Sequence, residues 1–355
     1  MRRIAFDGRF IKPEHPDGIS RFSLGLIQEI AKLTQLKVIV CHQKVADRLP
    51  DGVEVIWANH PTSPMEIFTA LKLNGKGIDV LFSPMQTTSG LGRKFKLVLT
   101  LHDLIYYRHR TPPKEFKPLV RGIWWLYHLS FAPQRLVLNG ADAVVTVSET
   151  TKKHMLEKRL TKRPISVIYN ASDEPQSVSK RDNSESRTLV YMGSFIGYKN
   201  LEALIRAMPL LPQHTLVCLS RITDERRVEL QTLADKVGAK IQFENGVTEA
   251  EYHQWLLKAQ ALVTASLDEG FGIPVIEAME RGTPAVVSNL EIFQEVGADA
   301  ALFFVPADPK SFAAQIEKLG TSTFWREVSE KSIRQAGQFS WRNSAEKLLE
   351  LLNRV

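Results

Sequence analysis

Residues 268–284 read DEGFGIPVIEAMERGTP, and here residue types and spacing most plainly suit chemistry. Pro274 fits the first turn of a helix, where its missing N–H costs nothing. Such a helix start offers unpaired amides and the positive end of a dipole, which together make a site for phosphate. Gly272 permits close backbone approach just before it. Glu269 and Glu277 bracket the turn. A carboxylate beside a diphosphate is repelled by it, so these two acids are better used to accept hydrogen bonds from hydroxyls. A nucleotide sugar presents that combination: a diphosphate with ribose hydroxyls on one side and sugar hydroxyls on the other.

The elements that must position this turn alternate along the chain. Strands are expected at 3–6, 37–41, 54–57, 79–82, 96–101, 142–147 and 165–169. Helices are expected at 18–33, 64–73, 114–138 and 149–158. The helix at 18–33 is the clearest, with Ile19, Phe22, Leu26 and Ile30 at spacings of three and four. Residues 171–187 are polar and turn-prone and read as a linker. A second set follows, with strands at 188–192, 215–219, 241–243, 261–265 and 285–288. Its helices are expected at 200–208, 226–237, 249–259, 274–281 and 311–319, with a last one at 344–352. Strand, helix, strand, repeated, implies right-handed crossovers and parallel sheets. The fold class is α/β: two doubly wound, Rossmann-like domains, 1–172 and 187–340, facing a central cleft. Open parallel sheets bind ligands at the carboxyl ends of their strands.

The string EGFGIPVIEAMERGTP closely resembles the nucleotide-sugar motif of family-4 retaining glycosyltransferases, which have the GT-B fold. FDGRFIKPEHPDGISRFSLGLIQEI, LVLTLHDL, ADAVVTVSE, ISVIYNAS and YMGSFIGYKNLEALIRAM extend the resemblance over most of the chain. EVGADAALFFVPAD and FSWRNSAEKLLELL resemble the family's tail, whose terminal helix (here 341–355) crosses back to the first domain. The resemblance implies that the first domain takes the acceptor and the second the donor. It places Glu269 at the transferred sugar and Glu277 at the ribose. It puts the backbone of Gly270, Phe271, Gly272 and Ile273 against sugar and phosphates. Lys199 matches the family's diphosphate lysine, Gly18 a loop glycine near the diphosphate, and His102 a histidine beside the reacting sugar and acceptor. The positive charge has a physical purpose, because the leaving diphosphate gains negative charge as the glycosidic bond breaks.

One departure stands out. The family carries an arginine near the lysine, where this chain has Ser194 and Tyr198. Arg221, in LSRITD, is a candidate to supply the lost charge; a surface arginine is the other reading. His102 could instead be a packed histidine, Asp103 a turn residue, and Gly18 a plain helix start. Ser148 and Glu149 look like an N-cap and first helical turn.

Composition bounds the rest. The chain has 355 residues, 44% hydrophobic and 24% charged, which suits two globular domains and excludes a disordered or collagenous chain. Two cysteines, Cys41 and Cys218, lie far apart without a CxxC or Cys/His cluster, so no disulfide or zinc framework is expected. Residues 1–170 carry 26 Lys and Arg against 14 Asp and Glu, leaving 20 against 25 in the remainder. The first half is thus basic and the second acidic. A basic surface could meet an anionic membrane or a phosphorylated substrate. Nucleic acid is not expected, since no recognition helix, RNP-like strand or zinc finger occurs. Residues 106–125 mix Arg108, Arg110, Lys114, Lys117 and Arg121 with aromatics, a blend suited to an interfacial helix. They read either as a dock for a membrane or lipid-linked acceptor, or as a core helix with a basic face.

No apolar run is long enough to cross a membrane, and no signal-peptide core follows the N-terminus. A cytoplasmic protein, peripheral on the membrane at most, is expected. No Asp-x-Asp triplet occurs, so no metal is expected, and no cofactor beyond the donor substrate. The resemblance favours GDP-mannose over UDP-glucose and a glycan or lipid-linked acceptor. The alternatives are a GT-B nucleotide-sugar epimerase and a silent nucleotide-sugar-binding module.

Overall fold

A computed structural model describes residues 2–14, 17–112, 117–172 and 181–355. The chain divides into two compact units, Met1–Ala171 with Ser340–Val355, and Ser172–Phe339. Residues 173–180 of the expected linker lie outside the described residues.

The first unit is built on seven strands: β1 (Ile4–Asp7), β2 (Leu36–Val40), β3 (Glu54–Trp57), β4 (Val80–Ser83), β5 (Lys96–Thr100), β6 (Ala143–Thr146) and β7 (Ile165–Val167). Their order in the sheet is β3-β2-β1-β4-β5-β6-β7, and every pairing is parallel. Parallel sheets are covered on both faces, which is why VLFS and AVVT of β4 and β6 are buried at every position. Chain order reverses at β1, with Phe6 registered on Val38 of β2 and on Phe82 of β4. The carboxyl ends of β1 and β4 therefore form the switch point at which doubly wound sheets bind ligands.

Helix Gly18–Leu33 leaves that switch point. Asp17 caps it, accepting from the Ser20 amide at 2.9 Å and from the Ser20 hydroxyl at 2.9 Å. Phe22, Leu26, Ile27 and Ile30 are fully buried, each contributing up to about 1.5–3 kcal/mol of hydrophobic stabilisation. The last helix, Trp341–Arg354, belongs to this unit and packs along Gly18–Leu33. Its buried residues Trp341, Ala345, Leu348 and Leu352 recur at three and four. A Cβ at Gly25 would lie 2.4 Å from the Trp341 indole, so only glycine lets the two helices approach this closely. Ser344 Oγ donates to the Tyr169 carbonyl at 2.8 Å.

The second unit has six strands: β8 (Thr188–Tyr191), β9 (Thr215–Cys218), β10 (Ile241–Phe243), β11 (Ala261–Thr264), β12 (Ala285–Ser288) and β13 (Leu302–Phe304). The order β10-β9-β8-β11-β12-β13 is again all parallel and reverses beside β8. Its core includes Leu189, Tyr191, Leu204, Val263, Phe312 and Trp325. The Trp325 indole N–H donates to the Gln260 carbonyl at 2.9 Å.

The structure corrects several expected elements. The single helix expected at 114–138 is two, Pro118–Tyr127 and Ala132–Asn139, with residues 113–116 outside the described set. Pro133 lies in the first turn of the second helix and has no N–H to donate to the Leu129 carbonyl, so the helical hydrogen-bond ladder breaks there and one continuous helix does not form. The segment at 64–73 opens as a 3-10 turn, Pro64–Phe68, before the α-helix Thr69–Leu73. Helices Gln43–Ala46, Glu291–Gly297 and Ser322–Ala336 and strand β13 had no counterpart in the sequence reading.

Candidate functional site

In the second unit the motif turn lies where the sequence argument requires. β11 ends at Thr264, and the helix Ile273–Glu280 begins directly after Gly272, with Pro274 in its first turn. Gly272 has φ 94° and ψ 50°, a conformation that favours glycine. A Cβ there would meet Phe293 Cε1 at 2.7 Å. No side chain caps this helix start, so its leading amides are directed at whatever approaches the turn. Gly270, Phe271 and Gly272 are buried, and Ile273 is partly so. The Phe271 ring packs edge-on against Phe339 at 5.8 Å.

Lys199 ends a 3-10 turn, Gly197–Lys199, after β8. Two bonds fix that turn to the loop after β11. The Leu267 amide donates to the Tyr198 carbonyl at 2.7 Å, and Asn200 Nδ2 donates to the Ala265 carbonyl at 3.2 Å. Asn200 can serve because it adopts φ 53°, which asparagine tolerates better than most residues. The result brings Lys199 Nζ onto Glu269 Oε2, with both side chains mostly buried. An ammonium has three donors, so this bond does not exhaust Lys199.

Glu277 points from the helix into the interior, 6% exposed. The Tyr252 hydroxyl donates to its Oε2 at 2.9 Å. Arg281, one turn on, donates from Nη1 to the Glu277 carbonyl at 3.0 Å, and its Nη2 lies 2.9 Å from His253 Nε2. Tyr252, His253 and Arg281 escaped the sequence reading. Tyr252 looks there like one more apolar position of an amphipathic helix, and no spacing signals its reach to Glu277. Arg221 is exposed and lies three residues beyond the end of β9. Its Cγ would be 2.6 Å from a Cβ at Gly246. In the sheet β8 separates β9 from β11, so Arg221 follows the strand next to the one that leads to Lys199.

The remaining candidates are in the first unit. His102 follows β5 and is partly buried, with its ring edge-on to Phe22 at 5.2 Å. Burial pushes its pKa below the usual imidazole value, against the opposing pulls of the Pro84 carbonyl and Asp17. His102 Nε2 lies 2.7 Å from the Pro84 carbonyl oxygen. A carbonyl only accepts, so Nε2 carries the proton and Nδ1 of the neutral ring is the acceptor. Asp103 is a turn residue, accepting from the Ile105 amide at 2.9 Å. Ser148 caps helix Glu149–Glu157, accepting from the Thr151 amide at 3.0 Å. Gly18 is the first residue of its helix.

A buried ion cluster at the carboxyl end of β1 was also invisible in the sequence. Arg9 Nε and Nη2 each reach Asp7 at 2.7 Å, and Nη1 reaches Glu66 at 2.6 Å. Burial lowers the Arg9 pKa, but the two carboxylates outweigh it and raise it overall. Asp7 lies just past the strand expected at 3–6 and Glu66 within the helix expected at 64–73; only the fold joins them. Among the described residues, no three His, Cys, Asp or Glu side chains converge as a metal site.

Two doubly wound parallel domains, one ending in a phosphate-suited turn flanked by two acids and a lysine, define the GT-B glycosyltransferase architecture. Comparison with known proteins gives the family. Residues 16–174 match "Glycosyltransferase Family 4", and residues 172–338 match "Glycosyl transferases group 1". The chain is 29% identical over 314 residues to the O-antigen chain mannosyltransferase RfbU of Salmonella typhimurium, spanning 85% of this chain and 87% of that one. It is 32% identical over 269 residues to O-antigen chain mannosyltransferase B of Escherichia coli, spanning 70% and 68%. The crystal structure of Anabaena Alr3699/HepE in complex with UDP-glucose superposes over 100% of both chains, with TM-score 0.74 and 16% identity. The protein belongs to the family-4 glycosyltransferases, enzymes that move a hexosyl group from a nucleotide sugar.

Proposed function

We propose that the protein is a retaining mannosyltransferase that uses GDP-mannose, needs no metal, and acts on a glycan or lipid-linked acceptor. The observation that carries this reading is the junction of Lys199, Glu269 and the uncapped start of helix Ile273–Glu280. Glu269 accepts one of the hydrogen bonds that the Lys199 ammonium can donate, leaving two for the diphosphate. The helix amides take further phosphate oxygens, so charge that builds on the leaving group meets fixed donors. Glu269 then faces hydroxyls of the sugar, and buried Glu277 faces those of the ribose. Arg221 adds positive charge from the neighbouring strand end. His102, neutral with Nδ1 as acceptor, receives a hydroxyl of the sugar or acceptor. The bond from the anomeric carbon to the diphosphate oxygen breaks. The acceptor oxygen bonds to that carbon from the same face, and its proton passes to the departing phosphate oxygen. The mannosyl choice rests on the names of the two sequence relatives, and the metal-free choice on the cationic donors described.

A thermal-shift panel of nucleoside diphosphates and their sugars tests this, since a ligand that binds only the native state raises the melting temperature. GDP and GDP-mannose should give the largest shifts, and no shift with any nucleotide refutes the reading. Activity abolished by a chelator and restored by magnesium or manganese refutes the metal-free part. Proton NMR of the product reads the anomeric configuration. Arg221→Ala should weaken GDP binding, and unchanged affinity removes that residue from the site.

The basic first unit supports membrane association. No residue of helix Pro118–Tyr127 is buried, with Leu119 at 77% and Leu126 at 61% exposure. Arg121 lies among them, and Trp124 and His128 stack at 4.0 Å beneath. No helix among the described residues is long and apolar enough to cross a membrane. Apolar side chains beside cations suit a dock on an anionic bilayer surface. Failure to pellet with anionic vesicles at low salt would remove this part.

A further inference from the structure

The hydroxyl of Tyr252 lies on helix Glu249–Lys258, outside the motif, yet it donates to Glu277 Oε2 at 2.9 Å. Tyr252 is 1% exposed and Glu277 6%. A buried carboxylate is fixed only as well as its donors fix it. We propose that Tyr252 is the positioning residue that sets the donor site's preference for ribonucleotides. By occupying Oε2 it holds the carboxylate in one rotamer and turns Oε1 toward the ribose hydroxyls. This rests on the reading that Glu277 receives the ribose.

Three features support the assignment. The Glu277 main chain is separately anchored, since Arg281 Nη1 holds its carbonyl at 3.0 Å. Backbone and carboxylate are thus held by different residues, and loss of the Tyr252 hydroxyl removes a bond to the carboxylate while leaving the Arg281 bond to the main chain. The Tyr252 helix is itself firmly started by a capping box, with Thr248 and Glu251 exchanging side-chain and backbone bonds. The hydroxyl therefore comes from a fixed element. A site built to receive a hydroxyl rejects an analogue lacking it, because its own polar group is left unpaired.

The test compares calorimetric affinities of GDP and 2′,3′-dideoxy-GDP, or of UDP and its dideoxy analogue if uridine nucleotides bind more tightly. Wild-type protein should favour the ribonucleotide by about tenfold or more. In Tyr252→Phe that preference should fall about three- to tenfold, with affinity for the dideoxy compound nearly unchanged. A wild type that does not discriminate overturns the ribose reading of Glu277 and this proposal with it. A wild type that discriminates and a Phe variant that does so equally overturns the proposal alone. Loss of this buried bond could unfold the single variant. Glu277→Ala/Tyr252→Phe leaves no side chain for Tyr252 to hold and is then compared with Glu277→Ala. Equal preference in those two is expected, and a further drop in the double variant overturns the proposal.

Discussion

Replacing Gly272 by alanine probes the motif turn most directly. An L-residue in the left-handed region costs about 1–2 kcal/mol. The new methyl would also lie 2.7 Å from Phe293 Cε1, on a ring that is 1% exposed and has little room to retreat. Overpacking of that kind costs about 1–3 kcal/mol, so holding the native turn would cost roughly 2–5 kcal/mol in all. The backbone will shift instead, and the amides after Gly272 will move away from the phosphate. Losing one charge-assisted hydrogen bond weakens binding by about 10–100-fold. Calorimetry with the nucleoside diphosphate alone reads this without any acceptor. Gly282→Ala, at the far end of the same helix, is the control. Gly282 has φ 66°, and a Cβ there would meet Ser329 Oγ at 2.8 Å. It should lose comparable thermal stability yet keep nucleotide affinity within a few-fold. The reasoning fails if Gly272→Ala binds like wild type, or if both variants lose affinity equally.

Three more outcomes are expected. Lys199→Ala should weaken nucleoside diphosphate binding about tenfold or more, with a smaller loss for the nucleoside alone; equal losses would place the lysine off the phosphates. Gly25→Ala should lower the melting temperature by at least about 2 °C through overlap with Trp341, and should be neutral or stabilising in a Trp341→Ala background; a loss in both backgrounds would refute the close approach. His102 has a folded pKa below its unfolded value, so the unfolded chain binds more protons in mild acid and stability falls as pH drops below about 6.5. His128 and His214 are also pushed down, chiefly by burial. Hence His102→Gln should flatten the pH profile of the melting temperature without levelling it, and an unchanged profile would place no part of the effect on His102.

The sheets were legible in the sequence because short β-branched runs, each followed by an amphipathic helix, admit little else. Glu54–Trp57, Ile241–Phe243 and Ala285–Ser288 lie at the expected residues. Ser322–Ala336 was missed, its apolar residues being interleaved with charged and small ones. Strand β13, LFF, is too short to show a period. At the site, residues adjacent in the chain were readable, as with Gly272 and Pro274. Partners from separate elements were not. Lys199 and Glu269 meet across 70 positions, Tyr252 and Glu277 across 25, and Arg9 and Glu66 across 57. Such pairs leave no periodic trace, because register between elements is fixed by packing.

The membership of helix Trp341–Arg354 in the first unit bears on synthesis. Trp341 packs edge-on to Phe22 at 6.2 Å, and Phe22 touches the His102 ring. During translation the first sheet emerges early, but the wall behind His102 stays uncovered until residues 341–354 leave the ribosome. The second unit, continuous in sequence, can fold before that. A nascent chain halted in between would present a bare greasy groove along Gly18–Leu33, a natural foothold for a chaperone.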